Sequence, residues 1–508
     1  MTKIYSKCVF ALLLSVGLVT GIQGQTKPIA DGNEKFLGCA YSTAQSSGFT
    51  SLWNQVTPEN GGKWGSVEGT RNTMRWNDMD ASYNVAKNNG LIFKEHTLIW
   101  GSQQPSWIGA LDSAAQRQEI EQWFSLLAQR YPDMPYIDVV NEPLHNAPNG
   151  MKPWGSSTPN VDYAKALGGA GKTGWDWIIE SFRLARKYFP NSKLIMNEYS
   201  VINSSTETQN YIKIINLLKA ESLIDGIGEQ AHAFTTAGTS TSTMKANLDA
   251  LAATGIPIYL TEMDVDGATD QAQLKEMQRV FKLFWDHPGV KGITMWGFRP
   301  GMWRTDQGAY LVTQAGKERP ALTWMKAYVN DSVVNAQSIA VSILNDTTAT
   351  IVKGSTVDMV AEMLPLNATI KNVSWSVSLS SLASIDATGK LTAIAPGRIK
   401  VTATAWDGSN VSGSMNITIV KESTNAAGKI RAERVRVFPN PATDGNFTIS
   451  GIDGINRIVV YDLTGKKVSE YQNLNQSELQ VRIGSGKGIY LLSLFDGTQI
   501  IRRKITVN

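Results

Sequence analysis

Two glutamates each close a short apolar run. Glu142 ends Ile137-Asp-Val-Val-Asn-Glu142, and Glu262 ends Pro257-Ile-Tyr-Leu-Thr-Glu262. Breaking a glycosidic bond needs one carboxyl that gives a proton to the leaving oxygen and a second that either attacks carbon or activates a water, their separation deciding which. A glutamate at a strand end is also a common ion-pair partner, so position alone does not assign that chemistry. Other runs close on polar groups too: Glu59-Asn60, His96, Asn141 beside Glu142, Glu198, and Gln230 with His232.

These residues can act together only if the chain brings them to one place. Between residues 33 and 331 eight apolar runs alternate with longer helical patterns. The runs are Phe36–Ala40, Gln55–Glu59, Ile92–His96, Ile137–Glu142, Leu194–Glu198, Gly226–His232, Ile258–Glu262 and Gly292–Trp296. Most lack polar alternation, as parallel strands buried on both faces do. Apolar residues at helical spacing fill Ser113–Arg130, Trp175–Tyr188, Glu207–Ser222 and Asp270–Asp286. Eight strand-then-helix units favour an α/β architecture closed as a (β/α)8 barrel over an open doubly wound sheet. In such a barrel every C-terminal strand end opens on the same mouth.

Six motifs in order then carry a family resemblance: Thr57-Pro-Glu59-Asn60-Gly-Gly-Lys63-Trp64, His96-Thr-Leu-Ile-Trp100, Val139-Val-Asn141-Glu142, Gly228-Glu-Gln230-Ala-His232, Thr261-Glu262-Met-Asp264 and Trp296-Gly297. Together they resemble glycoside hydrolase family 10, the xylanase barrels. The resemblance implies a retaining endo-β-1,4-xylanase with Glu142 as general acid/base and Glu262 as nucleophile. It gives Asn141 the 2-hydroxyl of the cleaved sugar and sets His232 against the nucleophile, with Gln230 nearby. Glu59, Asn60 and Lys63 hold the non-reducing-side sugar, beside His96 and Trp100. Trp296 and Trp303 form aromatic walls, and Gln103 crowds the space of a glucose hydroxymethyl.

Two positions depart from the family pattern. Gly101 stands where a histidine usually follows the tryptophan, which is expected to remove a sugar contact and open space in the −1 subsite. Asn197-Glu198 stands where the second residue is commonly Asp. Glu198 is read either as a partner that orients His232 or as an unrelated ion pair.

The rest of the chain changes texture. Residues 336–420 are rich in Thr, Ser, Val and Ile, with turn signals at Asn345-Asp346, Asp386–Gly389 and Asp407-Gly408, which reads as a small antiparallel sandwich. Val373-Ser-Trp375-Ser, Ile385–Thr392 and Gly397–Ala403 resemble the group 2 bacterial Ig-like module. Residues 421–430 read as a linker. A further all-β stretch, 432–508, with Phe438-Pro-Asn-Pro441, Val460–Lys466 and Gly488–Leu491, resembles the C-terminal sorting domain of type IX secretion cargo. Residues 1–24 have the basic, apolar and small-residue plan of a secretory signal. Together these segments imply export across both membranes of a Gram-negative cell, to the medium or the cell surface, with the secretion machinery as a partner.

Composition narrows the alternatives. Residues 429–508 hold twelve Lys/Arg against seven Asp/Glu, so the formal charge of +4 belongs to that segment and the barrel makes no electrostatic case for nucleic acid. Of two cysteines, Cys8 falls in the signal, leaving Cys39 as a lone thiol with no intrachain disulfide. No segment has the roughly 18 uninterrupted apolar residues of a membrane span. The histidines, His96, His145, His232 and His287, show neither HxH nor HExxH spacing, so no metal and no cofactor is expected. The expected partner is xylan or its oligosaccharides, met by a monomer. The competing readings are a β-1,4-glucanase on the same scaffold, which Gly101 favours and Gln103 opposes, and a non-catalytic glycan-binding surface protein.

Overall fold

The computed structural model describes residues 27–150, 161–421, 434–484, 486–496 and 500–508. The expected signal, residues 1–24, and nearly all of the expected linker, 421–430, lie outside the described residues. Eight parallel strands close a barrel in chain order, with the first paired to the last. They are β1 (Phe36–Tyr41), β2 (Gln55–Pro58), β3 (Ile92–Ile99), β4 (Tyr136–Asn141), β5 (Lys193–Glu198), β6 (Gly226–Glu229), β7 (Ile258–Met263) and β8 (Val290–Met295). Every residue of β2, β6 and β7 is buried, which is why these segments read as unbroken runs without alternation.

Around the strands lie α1 (Trp64–Val67), α2 (Asn77–Asn89), α3 (Ser113–Arg130), α4 (Asp176–Tyr188), α5 (Ser205–Ala220), α6 (Ala233–Thr236), α7 (Thr241–Ala252), α8 (Asp270–Asp286) and α9 (Pro320–Val329). Four of the longer helices begin where a short polar side chain accepts an otherwise unpaired N–H. Asp112 caps α3, Ser204 α5, Ser240 α7 and Thr269 α8. Pro320 starts α9, where its missing N–H is not needed. On α8 the buried Leu274, Met277, Val280, Phe281 and Phe284 recur at helical spacing and join the core between helices and strands.

The barrel interior is graded. At the N-terminal strand ends Phe36 stacks on Tyr259 at 5.8 Å and meets Tyr136 edge-on at 5.6 Å. This aromatic plug needs a glycine opposite it: a Cβ on Gly292 would lie 2.3 Å from the Phe36 ring. Above the plug the interior turns polar, with Thr294 Oγ1 donating to Gln55 Oε1 and Gln55 Nε2 to Thr57 Oγ1, both at 2.8 Å. Apolar packing closes the bottom, so hydrogen-bonding groups are concentrated towards the mouth.

Downstream, two four-stranded sheets have the orders β10-β16-β15-β12 and β13-β14-β11-β9, built from β9 (Ser338–Ile343), β10 (Thr350–Val352), β11 (Thr356–Leu364), β12 (Val373–Val377), β13 (Ala383–Ile385), β14 (Lys390–Ala393), β15 (Gly397–Ala405) and β16 (Ser412–Val420). Ile343, Ile351, Leu391, Val401 and Ile417 are among the residues that form their shared core. The last stretch has a three-stranded sheet, β17-β18-β21, and a four-stranded one, β20-β19-β22-β23. Its strands are β17 (Arg436–Phe438), β18 (Asn446–Ser450), β19 (Arg457–Asp462), β20 (Lys467–Gln472), β21 (Glu478–Arg482), β22 (Gly488–Phe495) and β23 (Ile500–Val507). It closes on a core of its own that includes Phe447, Ile458, Leu492 and Ile505. The fold is thus the expected barrel followed by all-β sheets.

Candidate active site

Each strand end delivers its polar residue to the barrel mouth. β4 ends on Asn141, and Glu142 follows in left-handed backbone at φ 54°. Ala231, between Gln230 and His232, and Gln103 share that conformation at φ 57° and 50°. Left-handed backbone costs roughly 1–2 kcal/mol for a residue with a Cβ, so three such residues at one mouth mark imposed geometry.

Glu142 sits in a cradle of donors. Trp100 Nε1 donates to its Oε2 at 2.9 Å and Gln230 Nε2 to its Oε1 at 2.9 Å, while Asn146 Nδ2 also donates to Oε2. Glu262 has a different set. Asn197 Nδ2 donates to its Oε1 at 2.7 Å, His232 Nε2 lies 3.4 Å from its Oε2, and His96 Nε2 lies 3.9 Å from its Oε1. The second hydrogen of the Asn197 amide goes to Asn141 Oδ1 at 2.8 Å, and its own Oδ1 accepts from Thr261 Oγ1. One buried amide on β5 therefore locks the ends of β4 and β7 in register with each other.

Both imidazoles beside Glu262 are backed by a carboxylate. His232 Nδ1 lies 2.6 Å from Asp264 Oδ2, and His96 Nδ1 lies 2.9 Å from Asp138 Oδ2, which also accepts from buried Lys94. The two differ in charge. Burial works against protonating His232, but Asp264 and Glu262 overcome it and bring its pKa to about 9. For His96 burial prevails over the opposing pull of Glu262 and Asp138 and holds the pKa below the usual 6.5.

The glutamates are driven apart in the same way. Burial pushes Glu142 above the ordinary carboxyl value, aided by the charge of Glu262 and partly opposed by Gln230, Asn146 and Trp100. Burial also acts to raise Glu262, but the His96 and His232 imidazoles and Lys94 override it and hold this carboxyl at about 2. One group is pushed to hold its proton longer and the other to give it up sooner, which is the division of labour that acid and nucleophile require.

Beside the pair, Lys63 Nζ donates to Asn60 Oδ1 at 2.9 Å and Gln103 Oε1 at 2.7 Å, and it lies 5.2 Å from the centre of the Trp100 ring. Glu59 adds a charge at the end of β2 that acts on the Lys63 ammonium. Trp296 packs edge-on against His96 at 5.2 Å, while half-exposed Trp303 meets His232 edge-on at 4.5 Å. Phe234 and Tyr199 extend this aromatic surface, with ring centres 6.0 Å from Trp303 and 5.9 Å from Phe234 respectively.

Of the two readings of Glu198 the ion pair stands, made with His145, and the expectation at Gly101 is overturned. Glu198 does not orient His232: it accepts from His145 Nδ1, Leu144 N and Tyr199 N, each at 2.8 Å, and Asp264 holds His232 instead. Nor does Gly101 open space. A Cβ there would lie 2.2 Å from Asn146 O and 2.5 Å from Ala147 O, because the backbone after β4 already occupies that volume. Gln230, expected near His232 and the nucleophile, binds the other glutamate. Burial rather than the neighbouring carboxylate is the main cause of the raised Glu142 pKa. Sequence reasoning also passed over Asp264, Asn197 and Asn146 as partners. The first lies within the Thr261–Asp264 motif and the second at a strand end, so both had a signal; Asn146, in the loop after Glu142, had none.

Residues 29–328 match the profile of Glycosyl hydrolase family 10. The chain belongs to that family. Residues 327–425 match the bacterial Ig-like domain (group 2), and residues 436–508 a secretion system C-terminal sorting domain. Among related proteins, endo-1,4-beta-xylanase B of Cellvibrio japonicus is 41% identical over 296 residues, covering 58% of this chain and 45% of that protein. An endo-1,4-beta-xylanase of Agaricus bisporus is 32% identical over 233 residues, covering 45% and 65%. The chain thus spans less than two thirds of the length of these two relatives. A family 10 endoxylanase from a sugarcane soil metagenome superposes with TM-score 0.51 at 22% identity, over 60% of this chain and 99% of that one. Xylanase 10B of Thermotoga maritima does so with TM-score 0.50 at 23% identity, over 60% and 97%. At these identities the structural matches speak for the family 10 barrel fold alone. No helix among the described residues is long and apolar enough to cross a membrane.

Proposed function

We propose that the family 10 barrel is a retaining endo-β-1,4-xylanase. The carrying observation is the opposed setting of two carboxyls at one mouth, Glu142 pushed above the ordinary carboxyl value by burial and Glu262 held ionised beside His232. Glu262 attacks the anomeric carbon as Glu142 passes its proton to the departing oxygen. Water, activated by the now ionised Glu142, then releases the sugar from Glu262 and restores the proton. The Asn141 amide, its Oδ1 engaged by Asn197, turns its N–H to the sugar 2-hydroxyl, a bond that strengthens as positive charge grows on the ring. His232 donates to Glu262 and keeps it ionised. Asn60, Lys63 and Gln103, joined by hydrogen bonds, hold the non-reducing-side sugar with Glu59 and His96, between the faces of Trp100, Trp296 and Trp303.

The glucanase alternative drew on room at Gly101, and the loop backbone fills that room. Gln103, fixed by Lys63, remains as the feature opposing a hydroxymethyl group. Xylan, xylo-oligosaccharides, cellulose and mixed-linkage glucan compared under one condition test the reading, with the product anomer followed early by NMR. Xylan cleavage with retained β configuration, abolished in Glu262→Ala, is expected. An inverted anomer, undiminished Glu262→Ala, or preferential cellulose cleavage would overturn it.

The remaining chain supports an exported enzyme. In this division residues 1–24 are removed as a signal, 33–331 form the catalytic barrel, 336–420 an Ig-like domain, 421–430 a linker, and 432–508 the segment read by type IX export machinery. The sorting-domain match at 436–508 supports a route across both membranes, ending in release or surface attachment. Removal of residues 432–508 is expected to retain the enzyme inside the producing cell, which fractionation detects.

A further inference from the structure

The loop that fills the volume beside Gly101 also reaches the acid/base glutamate. Asn146 is buried, its N–H donates to Glu142 O at 2.8 Å, and its carbonyl accepts from Gly101 N at 2.8 Å. A Cβ at position 101 would strike backbone atoms of Asn146 and Ala147, and no rotamer change relieves a clash with backbone. In this chain the loop after β4 therefore closes onto position 101 in the volume that a side chain there would need. Closed in this way, it sets Asn146 Nδ2 on Glu142 Oε2, the oxygen that also accepts from Trp100, the neighbour of Gly101.

We infer that Asn146 is a positioning residue for the Glu142 carboxyl, delivered to it by a loop that closes onto Gly101. This rests on the proposed role of Glu142 as acid/base. Two donors on Oε2 and one on Oε1 fix the carboxyl plane and stabilise the anion left when the proton departs. The Asn146 contact also draws the Glu142 pKa down against burial, in the same sense as Gln230 and Trp100. The glycine that looked like a lost sugar contact thus acts on the acid instead.

The test uses the full chain with Asn146→Ala and Gly101→Ala, compared with wild type on the oligosaccharide that wild type cleaves and on its 2,4-dinitrophenyl glycoside. Asn146 Oδ1 is buried without a hydrogen-bond partner among the described residues, so truncation to alanine removes an unsatisfied acceptor and the variant is expected to fold. Loss of the donor raises the alkaline limb of kcat/KM by about 0.5–1 pH unit. Oligosaccharide cleavage falls about 10-fold, while the dinitrophenyl substrate, whose leaving group needs no proton, loses less than about 3-fold. An unmoved alkaline limb, or equal losses on the two substrates, overturns the inference. If Gly101→Ala does not fold, Asn146→Ala decides alone. Failure of the parent reading is seen separately, in the wild-type anomer and in Glu262→Ala, and neither depends on residue 146.

Discussion

His232 Nδ1 lies 2.6 Å from Asp264 Oδ2, two residues beyond the glutamate that the other face of the same imidazole meets. β7 alternates its side chains, so Glu262 and Asp264 fall on one side of the chain and clasp a single ring from both ends. The arrangement places a buried cation against Glu262 without exposing it to solvent.

Asp264→Asn is expected to abolish that cation at working pH. Without Asp264 the His232 pKa falls from about 9, the ring becomes neutral, and Glu262 loses one of the charges that hold it ionised. The acid limb of kcat/KM then moves upward and kcat falls roughly 10–10³-fold. Linkage gives the stability effect its sign. A histidine raised to about 9 in the fold stabilises fully below about 6.5 and loses that contribution as pH rises through about 9. Urea titrations at pH 6 and 9.5 should show the wild type losing more stability between them than Asp264→Asn.

Glu142→Gln removes the group whose ionisation ends activity at high pH. In the wild type, kcat/KM rises as Glu262 ionises near 2 and falls as Glu142 loses its proton above the ordinary carboxyl value. The variant is expected to keep the acid limb, lose the alkaline limb, and retain most activity only on substrates with dinitrophenolate leaving groups. A pH series on both substrate types checks this.

Gln103→Ala should relax discrimination against glucose. Gln103 is tied to Lys63 at 2.7 Å and to Asn60 at 3.2 Å, so its side chain does not swing aside for an added hydroxymethyl. The ratio of kcat/KM for gluco- over xylo-oligosaccharides is expected to rise about 10-fold, within the roughly 1–3 kcal/mol that one small group contributes to discrimination.

Glu95→Gln should stabilise the barrel at neutral pH. This β3 glutamate is fully buried, and burial first, then the charge of Asp138, raises its pKa well above 4.5. Its unfolded form ionises near 4.5 while the folded form does not, so stability falls as pH rises beyond that value. Thermal unfolding at pH 4.5 and 7.5 should show a smaller loss of Tm between the two for the variant.

Several elements were legible because their signal is local. α3 and α8 occupy the expected Ser113–Arg130 and Asp270–Asp286, where polar caps and apolar periodicity agree. The barrel strands lie within a few residues of the apolar runs, since burial on both faces leaves an unbroken pattern. The choice of partner among strand-end polar groups was not local. Glu198 and Asp264 are both acids near the mouth, and nothing in their spacing says which of them reaches His232.

From order and type alone, the chain determined a (β/α)8 barrel with Glu142 and Glu262 at its mouth, followed by all-β domains, because strand periodicity and motif order survive in one dimension. Tertiary structure decided the rest. It gave Asp264 rather than Glu198 to His232, made Asn197 the clasp between two strands, and turned Gly101 from a gap into a seat for the Asn146 loop. The reason is physical: hydrogen bonds and close contacts depend on distances of a few tenths of an ångström between residues far apart in the chain, and residue spacing carries no record of them.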